Sequence, residues 1–126
     1  MKKLSLLFLG LVFSILSFSQ EVKFLSKEEF KKRNQGITVV EFWANWNKGN
    51  QYQNLSELKN CKAYRVCIES NMELATKYKI ISVPTIIVFN NGIEKYRYEA
   101  NVSFQLQTKH TNIQDKIEEI IMERFR

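Results

Sequence analysis

The side chains able to do chemistry are few: two thiols, Cys61 and Cys67, one imidazole, His110, and one carboxylate in an apolar setting, Glu41. The thiols lie six positions apart, and the intervening Ala63 to Ile68 alternates as a strand does. Six extended residues span roughly 20 Å, whereas a disulfide tolerates a Cα separation of about 7 Å at most. Both in or beside one strand, they cannot pair within the molecule and read as two small buried thiols. The sharper alternative is that Cys61, just ahead of the strand, reacts or pairs with another chain. A lone His110 in a loop offers neither a metal site nor a catalytic pair. No phosphate-binding, dinucleotide-binding or nucleophile-elbow motif occurs, so no cofactor is expected and no metal.

Glu41 sits in the run Ile37 to Ala44, short and rich in β-branched and aromatic residues, which reads as a strand buried on both faces. A carboxylate there is costly unless paired or protonated, so its pKa is expected to rise. The run breaks at Asn45-Trp46-Asn47-Lys48-Gly49-Asn50, which is turn chemistry, and a short helix is expected after it.

Trp43-Ala44-Asn45-Trp46-Asn47-Lys48-Gly49-Asn50 resembles the active-site segment of the thioredoxin family, Trp-Ala-x-Trp-Cys-x-x-Cys. Both tryptophans and the alanine are in place, but Asn47 and Asn50 stand where the family has its two cysteines. Glu41 matches the acidic residue that, in the family, lies beneath the cysteines and helps move their protons. With no thiol above it, Glu41 is expected to be a relic or to hydrogen-bond to the Asn turn or Lys48. Asn47 and Asn50 have a plain reading as helix-capping residues.

A second stretch carries the same resemblance. Val83-Pro84-Thr85 precedes the apolar run Ile86 to Phe89 and holds the chain's only proline. A proline there is tolerated only at a strand's entry. In the family this proline is in a cis peptide bond beside the cysteine turn, and the residue before it, here Val83, pairs its backbone with the extended peptide of a client protein. That is strand addition. The resemblance therefore implies a docking surface built from Trp46, Asn47, Lys48, Gly49, Asn50, Val83, Pro84 and Thr85.

Other elements follow from local signals. Val22 to Leu25 is a first strand. Ser26 with Glu29 makes a capping box for a helix from Lys27 to about Asn34, with Gly36 beyond it. Lys31-Lys32-Arg33 suits that helix's negative end. After the turn, Tyr52, Leu55 and Leu58 are spaced for a short helix that stops at Asn60. Ala63 to Ile68 is a strand, and Ser70 or Asn71 caps the helix Met72 to Tyr78. Asn90-Asn91-Gly92 makes a hairpin of Ile86–Phe89 and Ile93–Tyr98. Ala100 to His110 is longer than the family's pattern, and its Phe104 and Leu106 are expected to extend a strand or cover an edge. Thr111 with Gln114 reads as a second capping box, ahead of an apolar face of Ile113, Ile117, Ile120, Ile121 and Phe125. The expected fold is α/β and thioredoxin-like, a central mixed sheet of about five strands flanked by helices.

The amino terminus reads as a leader. Met1-Lys2-Lys3 is basic, Leu4 to Phe18 is apolar, and Ser17 and Ser19 are small residues placed for cleavage before Gln20. The apolar run is short against the roughly 20 residues of a membrane helix. The expectation is a secretory signal over residues 1–19, one domain over 20–126, and an exported protein, periplasmic or secreted, with no stable membrane insertion after cleavage. Apolar and charged fractions of 44% and 25% suit a packed globular domain. The net charge of +6 includes Lys2 and Lys3, and the remaining excess is scattered without the stripe that nucleic acid would need. Asn54-Leu55-Ser56 and Asn101-Val102-Ser103 fit the glycosylation sequon.

Thioredoxin-type exchange needs an exposed low-pKa thiolate and a second, resolving thiol. Asparagine supplies neither. Three readings follow: a redox-inactive module that binds a protein or peptide client, an oxidoreductase that uses Cys61 or Cys67 instead, or a structural subunit whose old active-site face is buried by a partner.

Overall fold

Alternation along one strand sets the layering of the whole molecule. The structure, a computed structural model, describes residues 19–33 and 35–126. Residues 1–18, which the sequence reading takes for a leader, and Asn34 lie outside the described residues. Strand β1 is Lys23–Phe24, helix α1 Lys27–Lys32, β2 Ile37–Trp43, β3 Lys62–Cys67, α2 Met72–Lys77, β4 Thr85–Asn90, β5 Ile93–Glu99 and α3 His110–Glu123. They form one five-stranded sheet in the order β1-β3-β2-β4-β5. Strand β2 runs parallel to β3 and antiparallel to β4. Every residue of this central strand is buried.

Its odd members Ile37 and Val39 join Ile86, Val88, Leu55 and α3's Ile113, Ile117 and Ile120 on one face. Its even members Val40 and Phe42 join Leu25, Tyr64, Val66, Ile87 and α2's Leu74 on the other, with Phe30 of α1 packed against them. Successive strand side chains point to opposite faces, so one apolar run, broken only by Thr38 and Glu41, serves both cores. Each fully buried isoleucine of α3 stabilises the fold by roughly 1.5–3 kcal/mol. Phe125 does not join that face; it is exposed beyond the helix.

Local signals account for most boundaries. Ser26 accepts from the backbone of Glu29, whose side chain accepts in return, completing the expected capping box. Gly36 lies beyond the cap, at φ +73°, in the turn into β2. Asn91 and Gly92 both take positive φ between β4 and β5, as a tight hairpin requires. The peptide bond between Val83 and Pro84 is cis.

Four expectations are corrected. The stretch after Trp43 holds no α-helix: 3-10 turns at Asn45–Asn50 and Leu55–Glu57 replace it, although Tyr52, Leu55 and Leu58 are buried as their spacing implied. Asn71 precedes α2 without capping it, because its side-chain amide donates to Cys67's carbonyl (2.9 Å). The Thr111–Gln114 box does not form: Gln114 instead exchanges two hydrogen bonds with the backbone of Lys59 (2.8 and 3.0 Å), tying α3 to the region after the turn. Residues 100–109 form no strand; they are a loop, folded over the turn that follows β2.

Candidate functional site

Strand β2 ends at Trp43, and the 3-10 turn that follows carries the site. Asn47 is its one non-helical residue (φ −110°, ψ 31°) and its one buried residue. That kink turns the Asn47 amide inward. Its Nδ2 donates to the carbonyl of Val83 (3.0 Å) and to the carbonyl of Phe104 (3.0 Å). Its Oδ1 accepts from Nδ2 of Asn50 (2.8 Å). Both amide hydrogens and the oxygen are thus engaged, and the three partners dictate which way the amide faces: reversed, its oxygen would meet two carbonyl oxygens.

Neither asparagine acts as a helix cap, contrary to the plain reading of the sequence; no side-chain cap bond is made at this turn. They form a pair of interlocked amides instead. Such a pair can donate and accept hydrogen bonds, but it has no nucleophile and no second oxidation state.

Trp46 is 60% exposed and meets the ring of Phe104 edge-to-face at 5.0 Å. A contact of this geometry adds about 0.5–1.5 kcal/mol to simple burial. Val83, Pro84 and Thr85 are buried, and Thr85 Oγ1 donates to the carbonyl of Ser82 (2.7 Å), closing the turn around the cis bond. Of the residues singled out in the sequence, Trp46, Asn47, Asn50 and Val83 are brought together with Phe104. Lys48 and Gly49 lie exposed on the outside of the turn.

Glu41 is fully buried, as expected, but its partners are not the Asn turn or Lys48. Its Oε1 accepts from Arg65 Nε (2.8 Å) and its Oε2 from the backbone N–H of Tyr52 (2.8 Å). Arg65 stands directly across from it in the parallel β2–β3 register and also donates to the carbonyl of Tyr52 (2.7 Å). Burial raises the Glu41 pKa, while the Tyr52 amide and Arg65 pull it back. Both oxygens serve as acceptors, which is the bonding of a carboxylate. Tyr52 extends the network outward: its hydroxyl, pushed up to about 12 chiefly by burial and then by Glu41, donates to the carbonyl of Thr108 (2.7 Å).

The two thiols are free and half-buried. Cys61 immediately precedes β3, at the end of the sheet opposite the Asn47 turn. Burial pushes its thiol up to about 11, against a weak hydrogen bond from Gln20. Cys67 pairs in register with Trp43, on the β3 side of β2, whereas Pro84 leads into β4 on the other side. Among the described residues no cluster of three or more metal-ligating side chains occurs. No helix of the described residues is long and apolar enough to cross a membrane.

Two participants escaped the sequence reading. Arg65 had a usable signal, since a buried carboxylate on a central strand demands a cation on a neighbouring one. Phe104 had a weaker one, a large aromatic in an over-long loop.

The sheet order, the cis-proline loop and the turn that faces it define the thioredoxin-like fold. Among solved structures, Malassezia sympodialis thioredoxin superposes with a TM-score of 0.62 at 21% identity, over 82% of this chain and 94% of that one. Oxidised Plasmodium falciparum thioredoxin gives 0.59 at 23% identity, over 79% and 98%. At that identity both comparisons speak to fold alone. In sequence, the chain is 32% identical to the thioredoxin of Mycoplasma genitalium over 77 residues, 56% of this chain and 72% of that protein. It is also 32% identical to that of Mycoplasma pneumoniae over 85 residues, 61% and 81%. The thioredoxin family profile matches residues 21–118. The chain belongs to the thioredoxin family.

Proposed function

We propose that this protein is a redox-inactive thioredoxin-fold module, exported by its leader, that binds a protein or peptide client. One observation carries the reading: beside Val83 and the cis-proline lies an amide, Asn47, paired with a second amide, Asn50, in the places of the family's two sulfurs. The fold keeps the exposed tryptophan and the buried cis-proline loop that implied docking from the sequence. The export part of the reading rests on the leader pattern, Lys2-Lys3, the apolar run and the Ser17/Ser19 site.

The relatives' name favours a second reading, a thiol–disulfide oxidoreductase that uses Cys61 or Cys67. Against Cys61 stand its place at the far end of the sheet and its raised pKa, which keeps it a thiol at neutral pH. The test is turbidimetric reduction of insulin by dithiothreitol with and without the protein. We expect no acceleration. Turnover that vanishes in Cys61→Ser or Cys67→Ser would overturn the reading. Light scattering after size exclusion addresses the subunit alternative, which a stable assembly that shields Trp46 from acrylamide quenching would favour.

A further inference from the structure

We propose that Asn47 and Asn50 form a clamp for a backbone carbonyl, that the Asn101–Gln105 loop is the clamp's internal ligand, and that an extended partner segment with an aromatic residue displaces this loop. The proposal rests on reading this face as a docking surface, and it names both the group that holds the partner and what competes with it.

The clamp is defined by its hydrogens. One N–H of the Asn47 amide is committed to Val83, inside the protein, and the other reaches outward to Phe104. Asn50 holds the amide in that orientation from behind. The outward N–H therefore points at a carbonyl whether Phe104 or another residue supplies it. Asn47 is 6% exposed, so an empty clamp would leave a polar hydrogen facing a nearly dry site, and it favours an occupant.

The loop has the build of a detachable ligand. Residues 101–105 close on themselves. Asn101 Oδ1 accepts from the backbones of Ser103 (2.9 Å) and Gln105 (3.1 Å), the Asn101 N–H donates to Gln105 (3.0 Å), and the Phe104 N–H donates to Asn101 (3.0 Å). These bonds survive when the loop lifts. The contacts described above to the rest of the fold are the Phe104 carbonyl on Asn47 and the Phe104 ring on Trp46. Phe104 makes them at φ +58°, the left-handed residue at which the loop's own hydrogen bonds close it. The loop's far side is moored, because the Thr108 carbonyl is held by the Tyr52 hydroxyl. The segment can swing without detaching its other end.

What displaces it must replace what it provides. That is one backbone carbonyl for the Asn47 amide and one aromatic edge for Trp46, on an extended backbone alongside Val83. Displacement exchanges one hydrogen bond for another and breaks no covalent bond.

The loop's own sequence is the natural probe. An acetylated, amidated peptide of residues 100–106 carrying a fluorophore is titrated with the full chain and its variants by anisotropy, alongside the same peptide with alanine for phenylalanine. In Phe104→Ala the internal competitor loses its ring, so the phenylalanine peptide is expected to bind about 2- to 13-fold tighter than to the unaltered protein, the worth of one edge-to-face contact. The alanine peptide gains by the same factor but binds both proteins more weakly than the phenylalanine peptide does. Asn47→Asp is isosteric but sets an oxygen against both carbonyls, and it abolishes binding in either background. Asn50→Ala, at a half-buried site, weakens binding without that polarity reversal and covers the case in which Asn47→Asp does not fold. Equal affinity of Phe104→Ala and the unaltered protein for the peptide, or undiminished binding by Asn47→Asp and Asn50→Ala, overturns the clamp while the docking face stands. No peptide binding by any variant overturns the docking reading and the proposal with it.

Discussion

Arg65→Met strips Glu41 of the cation beside it and leaves a fully buried carboxylate with the Tyr52 N–H as its partner. Breaking a buried ion pair from one side costs about 3–5 kcal/mol, because the remaining charge has neither water nor a counter-ion. The retained Tyr52 bond places this case at about 3 kcal/mol, a large share of the roughly 5–15 kcal/mol that holds a domain together. The pH dependence follows from the direction of the Glu41 shift. Burial raises its folded pKa above that of the unfolded chain, so as pH rises the unfolded state releases its proton first. Between the two pKa values the folded state holds more protons and stability falls with rising pH, by at most about 1.4 kcal/mol per unit. Below the unfolded pKa the stabilising contribution is complete. Arg65→Met removes two of the influences that restrain the shift, its charge and its hydrogen bond, and so extends this falling window upward towards neutrality. Urea unfolding followed by circular dichroism, from pH 4.5 to 8, should show the variant close to the unaltered protein at the acid end and about 3 kcal/mol weaker at pH 7.5. Glu41→Gln with Arg65→Met should lose the added pH slope. A single variant within 1 kcal/mol of the unaltered protein at pH 7.5, with no added slope, would mean that water reaches the pair and that the burial argument is wrong.

Two further outcomes follow from the same geometry. Asn47→Cys with Asn50→Cys places two thiols where the amides now touch at 2.8 Å, so the double variant should gain insulin reduction; its absence in a folded double variant would show that the surroundings no longer support exchange. Cys61, pushed up to about 11, should take up iodoacetamide slowly at pH 8, roughly tenfold faster per added pH unit and far faster in urea, read by peptide mass mapping; rapid labelling of the folded protein at pH 7 would place this thiol in solvent.

The parts legible in the sequence are those where one local signal dominates. Ile37–Trp43 is uniformly apolar but for Thr38 and Glu41, and it is the central strand over that same range. Asn91-Gly92 can serve as little else than a hairpin turn, and Ser26 with Glu29 as little else than a cap. Signals failed where a side chain had two uses. Gln114 could cap α3 or bind Lys59, and the tertiary contact won because it satisfies both a donor and an acceptor of that backbone. Asn71 likewise left its cap for Cys67. The stretch after Asn50 had helical spacing at Tyr52, Leu55 and Leu58, but its three buried residues are pegs held from outside. Tyr52 is fixed by Glu41, Arg65 and Thr108, and Leu55 and Leu58 are buried under α3. At the site, the tryptophan and proline were readable from family likeness. The amide clamp was not, because which groups an asparagine joins depends on a loop more than fifty residues away.

Gln20 gives the stretch ahead of β1 a chemical consequence. Its side chain donates to the carbonyls of Leu58 (2.6 Å) and Cys61 (3.3 Å) and accepts from the N–H of Ala63 (2.8 Å), bridging the approach to β3. A polypeptide that started at Glu21 would forfeit this plug and unwrap the sulfur behind it. Such a chain would also lose the Gln20 hydrogen bond to the Cys61 sulfur.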